Sequence, residues 1–557
     1  MSGPALLRGA VVVDGTGGPQ QVQDVLVSDG HVVASGKAAA DHPDAGNAQS
    51  WDLDGLVLAP GFIDIHTHSD ISVLQSTAAE SKVLQGVTTE VVGNCSFSAF
   101  PNGAERLDLH RDHMARIGEP PLDVDWTDLE GYADRLEAAP PALNVAALVG
   151  HGTLRVATMG VEQRPPTADE QAAMRELLRS ALRAGAFGLS TGLTHVPSSY
   201  GDADEVIDLL GPVASAGALY ATHARAVAGA ELDAVREALM VSAASGARLQ
   251  YSHVALNDPV NWGRASEYLG LFDDAVECGH HVGFDLYPYA ASSSSLTQYL
   301  PGWVQVGGSA ALSERLTDPD TYRRAREETA RGWYGGIPWL WDRVTIAHAP
   351  EPGLAGRTMA QLALERAVDP VDLTLELCRR HGNQVEVVMA YRTEEDMQTF
   401  LAHPLSTIGS DGNAIDIHQR ERRPHPRHYG TFPRVLGRYV RELGVLELSD
   451  AVRKMSAANA DRLGLRDRGR IAPGQVADLV AFDPATVADR ATFEDPCQAP
   501  TGIEHVWVGG TLVVQGGVQR DARPGRLLRS GRSSSITASG GQATTSSTAP
   551  VIRTSSS

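Results

Sequence analysis

Cysteine is scarce in this chain: four residues in 557, at Cys95, Cys278, Cys378 and Cys497. None forms a C-x-x-C pair. Neither a disulfide framework nor a cysteine-rich zinc cluster is expected, and the usage suits a reducing cytoplasm. Long apolar runs are also missing. Nothing approaches the ~20 residues of a membrane span. Met1 to Gly15 lacks the basic stretch and apolar core of a secretion signal. Positive charge is in deficit, with 47 Lys and Arg against 68 Asp and Glu, a net of −21. That balance argues against nucleic acid or an anionic membrane as partner. No Gly-x-Gly-x-x-Gly follows an early strand and no Walker loop is present, so nucleotide-binding folds lose ground.

The informative stretch is Ala59-Pro60-Gly61-Phe62-Ile63-Asp64-Ile65-His66-Thr67-His68-Ser69-Asp70, led in by Leu56-Val57-Leu58. Ile63 and Ile65 alternate with Asp64 and His66, the period of a β-strand. Residues two apart on a strand face the same side. His66 and His68 therefore present two imidazoles together, able to grip one metal ion. A pair of ligand-free histidines is the alternative, because short motifs have many false positives. Further ligands elsewhere in the chain decide between them.

Both ends of the chain read as β-structure. Val25-Leu26-Val27 and Val32-Val33-Ala34 flank Ser28-Asp29-Gly30, a hairpin signal. Near the other end, Val506-Trp507-Val508 and Thr511-Leu512-Val513-Val514 flank Gly509-Gly510. One small β-domain built from both termini is expected. Residues 37–50 read as loop. From about 59 to 465 short apolar strands alternate with helical segments, among them a helix from Thr167 with a Thr167/Glu170 capping box. Repeated β-then-α over this length predicts a (β/α)8 barrel, with a doubly wound open sheet as the runner-up. From Gly531 on, the chain is Ser/Thr/Gly-rich and expected to be disordered.

Barrel enzymes carry their active residues at the C-terminal ends of the strands. Predicted strand ends here carry His66/His68, Cys95, His223, His253 and Asp411. Thiolate and imidazole suit zinc, whereas calcium and magnesium prefer oxygen. Each residue has a plainer reading: a buried apolar thiol or a nucleophile for Cys95, hydrogen-bonded core histidines for His223 and His253, an Asp-Gly turn for Asp411. Read as function, Asp411 takes a proton from metal-activated water and passes it to a leaving group. Zinc lowers the pKa of a bound water to ~7, and that chemistry attacks carbonyl carbon. An amide is the natural target.

The motifs in order resemble the amidohydrolase superfamily, most nearly its N-acyl-D-amino-acid deacylase (D-aminoacylase) branch. They include Pro60-Gly61-Phe62-Ile63-Asp64-Ile65-His66-Thr67-His68, Gly93-Asn94-Cys95, Ser190-Thr191-Gly192-Leu193, Thr222-His223 and Ser252-His253. Tyr287-Pro288-Tyr289, Gly409-Ser410-Asp411-Gly412, His425-Pro426-Arg427 and Gly469-Arg470-Ile471-Ala472-Pro473-Gly474 follow. The resemblance implies an α/β fold: a (β/α)8 TIM barrel with a small β-sandwich formed by both chain ends. The expected division is 1–58 and 466–526 for the sandwich, 59–465 for the barrel and 527–557 for a disordered tail. It also implies one tight zinc on Cys95, His223 and His253, where a cysteine replaces the carboxylated lysine of many relatives. His66 and His68, with Asp411, would border a second metal position, weak or empty. Asp411 would be the general acid/base, and His195, Tyr287, Ser293 and Arg427 match positions that attend the substrate.

Two positions depart from that branch. His195 stands where its members usually carry tyrosine, and Ala255 where they often carry lysine. The metal machinery is complete while the grip on the substrate is altered, so the N-acyl substrate is expected to differ from an ordinary N-acetyl-D-amino acid. Cyclic-amide hydrolysis, deamination on the same scaffold and a non-catalytic scaffold are the competing readings. Replacing Cys95 with alanine is expected to abolish tight zinc binding and activity together. A Cys95→Ala protein that keeps both removes Cys95 from the ligand set.

Overall fold

The computed structural model describes residues 3–121, 123–420 and 422–531. Its centre is α/β. Strands Phe62–Asp64, Val87–Val92 and Asn144–Ala147 form one parallel sheet. The chain then runs directly into Val149–Gly150, the edge of a second, six-stranded parallel sheet. Gly188–Gly192, Leu219–His223, Arg248–Tyr251, Val282–Leu286 and Ser406–Ile408 follow across it. Nearly every residue of these strands is buried on both faces, as expected where helices cover a parallel sheet. The sheets are consistent with a barrel, because their free edges meet. Asp411 N donates to His66 O at 2.7 Å, and His68 N to Gly412 O at 3.1 Å.

Lys82 fastens that seam. It is fully buried, and its ammonium donates to Asp64 Oδ2 (3.0 Å), Ser410 Oγ (2.7 Å) and Gly412 O (2.9 Å). Asp64 also accepts from Ser410 N at 2.7 Å and Ser410 Oγ at 2.6 Å. A buried charge is tolerable only with such pairing. The result ties the first and last parallel strands together immediately beneath His66 and Asp411.

The helices follow local sequence rules. Ala168–Ala184 has the capping box, with Thr167 accepting from Glu170 N and Glu170 accepting from Thr167 N. It buries Met174, Leu178 and Ala181, spaced along one face. The hairpin at Ser28-Asp29-Gly30 forms between Gln21–Ser28 and His31–Ser35, with Asp29 and Gly30 at φ 49° and 74°. Those angles are the turn chemistry that favours Asp-Gly.

The two ends join as expected. Ala5–Val12, Gln21–Ser28, His31–Ser35 and Val57–Pro60 share one nine-stranded sheet with Leu479–Phe482, Ile503–Val508, Thr511–Gln515 and Val518–Gln519. Val57–Pro60 makes the junction, parallel to Ala5–Val12 and antiparallel to Leu479–Phe482. Leu7, Val25, Leu58, Leu479 and Trp507 pack together in its core.

Three readings change. Val344–His348 and Glu386–Met389 fall within the stretch 59–465 expected to alternate as barrel strands and helices, but they pair antiparallel with each other and, through Ser292–Ser295, form a separate three-stranded sheet. This region between the last two parallel strands has its own apolar core, including Val344, Ile346, Leu375 and Val387. Strand-like sequence alone does not reveal which sheet a strand joins. Residues 37–50 are not all loop: Lys37–Ala40 is a helical turn and Gln49–Asp52 pairs with Ala5–Val12. Residues 527–531, assigned to the tail, dock on the body. Leu528 N donates to Val145 O at 2.7 Å, and Arg529 pairs with Glu130. The expected disorder beyond them lies outside the described residues. Among the described residues no helix is long and apolar enough to cross a membrane.

Removing the Lys82 ammonium leaves Asp64 buried and uncompensated. Lys82→Ala is expected to cost about 3–5 kcal/mol of stability, read from denaturant unfolding. A loss below about 1 kcal/mol would show that the seam does not depend on it.

Candidate metal centre and pocket

The strand ends converge. Cys95 Sγ lies 3.2 Å from His66 Nε2 and 3.3 Å from His253 Nε2. His253 Nε2 is 2.9 Å from His223 Nδ1. Asp411 Oδ1 is 2.9 Å from His68 Nε2 and 3.6 Å from His66 Nε2. Ligand atoms of His66, Cys95 and His253 fall within 4.8 Å of one another, as do those of His66, His68 and Asp411. All six predicted ligands thus meet, although they come from five strand ends as far apart in sequence as residues 66 and 411. A third such group brings in His195, with Cys95 and His223.

The backbone bends sharply to do this. Cys95, His253 and Asp411 have φ of 51°, 37° and 53°. Left-handed backbone in residues with a Cβ costs of order 1–3 kcal/mol each and tends to gather at functional sites. Gly192 allows the close packing on the other side. A Cβ there would stand 2.3 Å from Cys95 O and 2.7 Å from the His195 ring.

Asp285 organises two of the ligands from behind. Its Oδ1 accepts from His66 Nδ1 at 2.9 Å and from His253 N at 2.8 Å, and its Oδ2 from Gln250 Nε2 at 3.0 Å. With Nδ1 so engaged, His66 presents Nε2 to the centre. The sequence reading missed Asp285. Its signal was an acid inside the apolar run Val282-Gly283-Phe284-Asp285-Leu286.

Electrostatics favour a cation here. Burial lowers the pKa of His68, His195, His223 and His253, leaving them neutral with lone pairs to offer. Burial would lower His66 too, but Cys95 and Asp285 beside it raise it well above its ordinary value. Burial would raise Asp411; the Arg427 guanidinium and the bond to His68 instead hold it well below the usual carboxylate range. Burial pushes the Cys95 thiol up, and a divalent ion would reverse that. A sulfur, several imidazoles and a carboxylate, crowded in a buried site with few protons to share, fit zinc.

A cavity of about 830 Å³ opens onto this cluster. Tyr287, Ser293 and Arg427, singled out in the sequence, line it. Arg427 Nη1 donates to Asp411 Oδ2 at 2.6 Å and Nη2 to Ser293 O at 3.3 Å. Its guanidinium lies 4.8 Å from the centre of the Tyr287 ring, and that of Arg392 lies 4.7 Å from it. Arg392, unforeseen, donates to Asn257 Oδ1 at 3.1 Å and has no ion pair among the described residues. Ala255 also lines the cavity.

Residues 49–514 match the model of the amidohydrolase family. This chain belongs to the amidohydrolase family. It is 36% identical over 524 residues to the N-acyl-D-glutamate deacylase of Alcaligenes xylosoxydans xylosoxydans, covering 94% of this amidohydrolase and 96% of that protein. It is similar in structure to the N-acyl-D-glutamate deacylase of Bordetella bronchiseptica. That protein was solved with zinc and a phosphonate inhibitor that mimics the reaction's tetrahedral intermediate. The TM-score is 0.79 at 35% identity, covering 95% and 100% of the two chains. A D-aminoacylase, with a binuclear centre described as activated by one metal and attenuated by a second, gives a TM-score of 0.78 at 35% identity. It covers 94% and 99% of the two chains. The amidohydrolase thus falls in the D-aminoacylase branch.

Asp285→Asn keeps the shape but upsets the hydrogen-bond pattern that fixes His66. Zinc affinity is expected to fall about 10–100-fold, measured by competition with a chromophoric chelator. Unchanged affinity would exclude Asp285 as the residue that orients the ligands.

Proposed function

We propose that this amidohydrolase is a zinc-dependent deacylase of linear N-acyl-D-amino acids or related N-acyl compounds. The observation that carries this is the meeting of Cys95, His66, His68, His223, His253 and Asp411 at the floor of a cavity lined with arginines. The likeness to deacylases over nearly the whole chain supports it. The assignment of ligands is ours: Cys95, His223 and His253 for one tight zinc, with His66, His68 and Asp411 bordering a second, weaker position. We take the parallel strands to close as a (β/α)8 barrel over 59–465, and the nine-stranded sheet of 1–58 and 466–526 to fold as a small sandwich. The four free cysteines support a reducing cytoplasm as its location.

Zinc, when bound, supplies a Lewis acid that polarises the acyl carbonyl and acidifies water to a pKa of ~7. The protein supplies the rest. Asp411 accepts the proton of the attacking water and delivers it to the departing amine nitrogen, which leaves only when protonated. Tyr287, Ser293 and Arg427 hold the amino-acid end. The guanidinium fork of Arg427 binds a carboxylate's two oxygens, so a substrate carboxylate competes with Asp411 for it. Arg392, stacked on Tyr287, offers a second cation where Ala255 offers none. His195 and Ala255, which stand where the branch carries tyrosine and lysine, are our reason for expecting a substrate other than the simplest N-acetyl-D-amino acids.

The test is a screen of paired D- and L-N-acyl amino acids and N-acyl dipeptides against the zinc-loaded protein. Turnover of D-configured linear substrates is expected, best with acyl or side-chain groups beyond the simplest. Hydrolysis of ring amides alone would move the reading to a cyclic-amide hydrolase. Asp411→Asn is expected to lower kcat by about 10²–10⁴-fold, and a variant retaining full kcat would remove the general acid/base role.

A further inference from the structure

We infer that His195 is itself a metal ligand in this chain, completing a donor set of Cys95, His195, His223 and His253. This rests on the metal centre proposed above and extends it by a residue expected, from sequence, to touch substrate. The turn after Gly188–Gly192 brings His195 back over the site, with its N–H donating to Gly192 O at 2.8 Å. The imidazole is almost fully buried, 6% exposed. Its Nε2 lies 3.2 Å from His223 Nδ1, and the ligand atoms of Cys95, His195 and His223 all fall within 4.8 Å of one another.

Hydrogen bonding alone does not satisfy this arrangement. His223 Nε2 is engaged by Thr194 Oγ1 at 2.6 Å. His223 Nδ1 then faces two other ring nitrogens, His253 Nε2 at 2.9 Å and His195 Nε2 at 3.2 Å. A single ring nitrogen has one proton or one lone pair, so it serves both only by splitting one bond between them. One cation among the three nitrogens and the Cys95 sulfur serves all four. The far nitrogen of His195, Nδ1, is buried without a hydrogen-bond partner, so the polar contacts of the ring lie at Nε2, while Phe97 packs against it at 5.4 Å between ring centres. Gly192 leaves room for this approach, because any side chain there would collide with the His195 ring and the Cys95 carbonyl.

Four protein donors are the closed count of a structural zinc, whereas catalytic sites keep three donors and an open position. With His195 in the set, the tight position anchors strand ends. Cys95, His195, His223 and His253 line the cavity together with His68 and Asp411.

The experiment measures zinc affinity of the full chain by competition with a chromophoric chelator, and the visible spectrum of the cobalt(II)-loaded protein. Wild type is compared with His195→Ala and His195→Cys. His195→Ala is expected to weaken zinc binding about tenfold or more and to alter the cobalt spectrum. His195→Cys, which keeps a zinc donor at the position, is expected to restore affinity and to strengthen the sulfur-to-cobalt absorption. His195→Ala binding zinc as tightly as wild type, with the same cobalt spectrum, overturns the inference and returns His195 to the substrate. Should His195→Ala not fold, His195→Gln decides in the same two ways. A wild-type protein that binds no zinc at all contradicts the proposed function itself, so the two failures are distinguishable.

Discussion

One buried carboxylate keeps the two halves of the centre in register. Asp285 holds the ring of His66 from the first parallel strand and the backbone of His253 from the loop after Arg248–Tyr251. Both bonds reach the same oxygen. A shift of either strand end would break one of them among buried residues, leaving a buried polar group unpaired at about 1–3 kcal/mol. Gln250 takes the second oxygen. Gln250 thus anchors the carboxylate from outside the centre, while His66 and His253 are held by its other oxygen.

The seam beneath follows the same logic. Asp64, Lys82 and Ser410 form a polar network in which Asp64 and Lys82, from the start of the parallel strands, both bind Ser410 at their end. Asp411 is the next residue after Ser410 and His66 is two after Asp64. Positioning the seam therefore positions the acid/base candidate and a candidate ligand together. The left-handed backbone at Cys95, His253 and Asp411 is sustained by this surrounding rigidity. Flexible loops would relax it.

Much of this was legible in the chain. His66-x-His68, Cys95, His223, His253 and Asp411 were readable because strand ends are marked by a change from apolar to polar residues, and because ligand chemistry is restricted to few residue types. The hairpin at Asp29-Gly30 and the Thr167/Glu170 cap were readable because both are local. What escaped was non-local. Lys82 reads as an ordinary surface lysine, since nothing near it in sequence shows that its partners are Asp64 and Ser410. Asp285 looks like a flaw in an apolar strand. Val344–His348 has strand character without saying which sheet it joins. Arg392 acquires meaning only from Tyr287 and Asn257, and His195, legible in sequence as a substrate position, is drawn towards the metal only by Cys95 and His223.

The central claim is that hydrolysis depends on a metal held by these strand ends. Its most direct test is to strip the protein with a chelator and add zinc back stepwise, following bound zinc and turnover of an N-acyl-D-amino acid substrate in the same samples. The account predicts no turnover in the stripped protein and its return as zinc is bound. Turnover in the stripped protein equal to that of the zinc-loaded protein would contradict it.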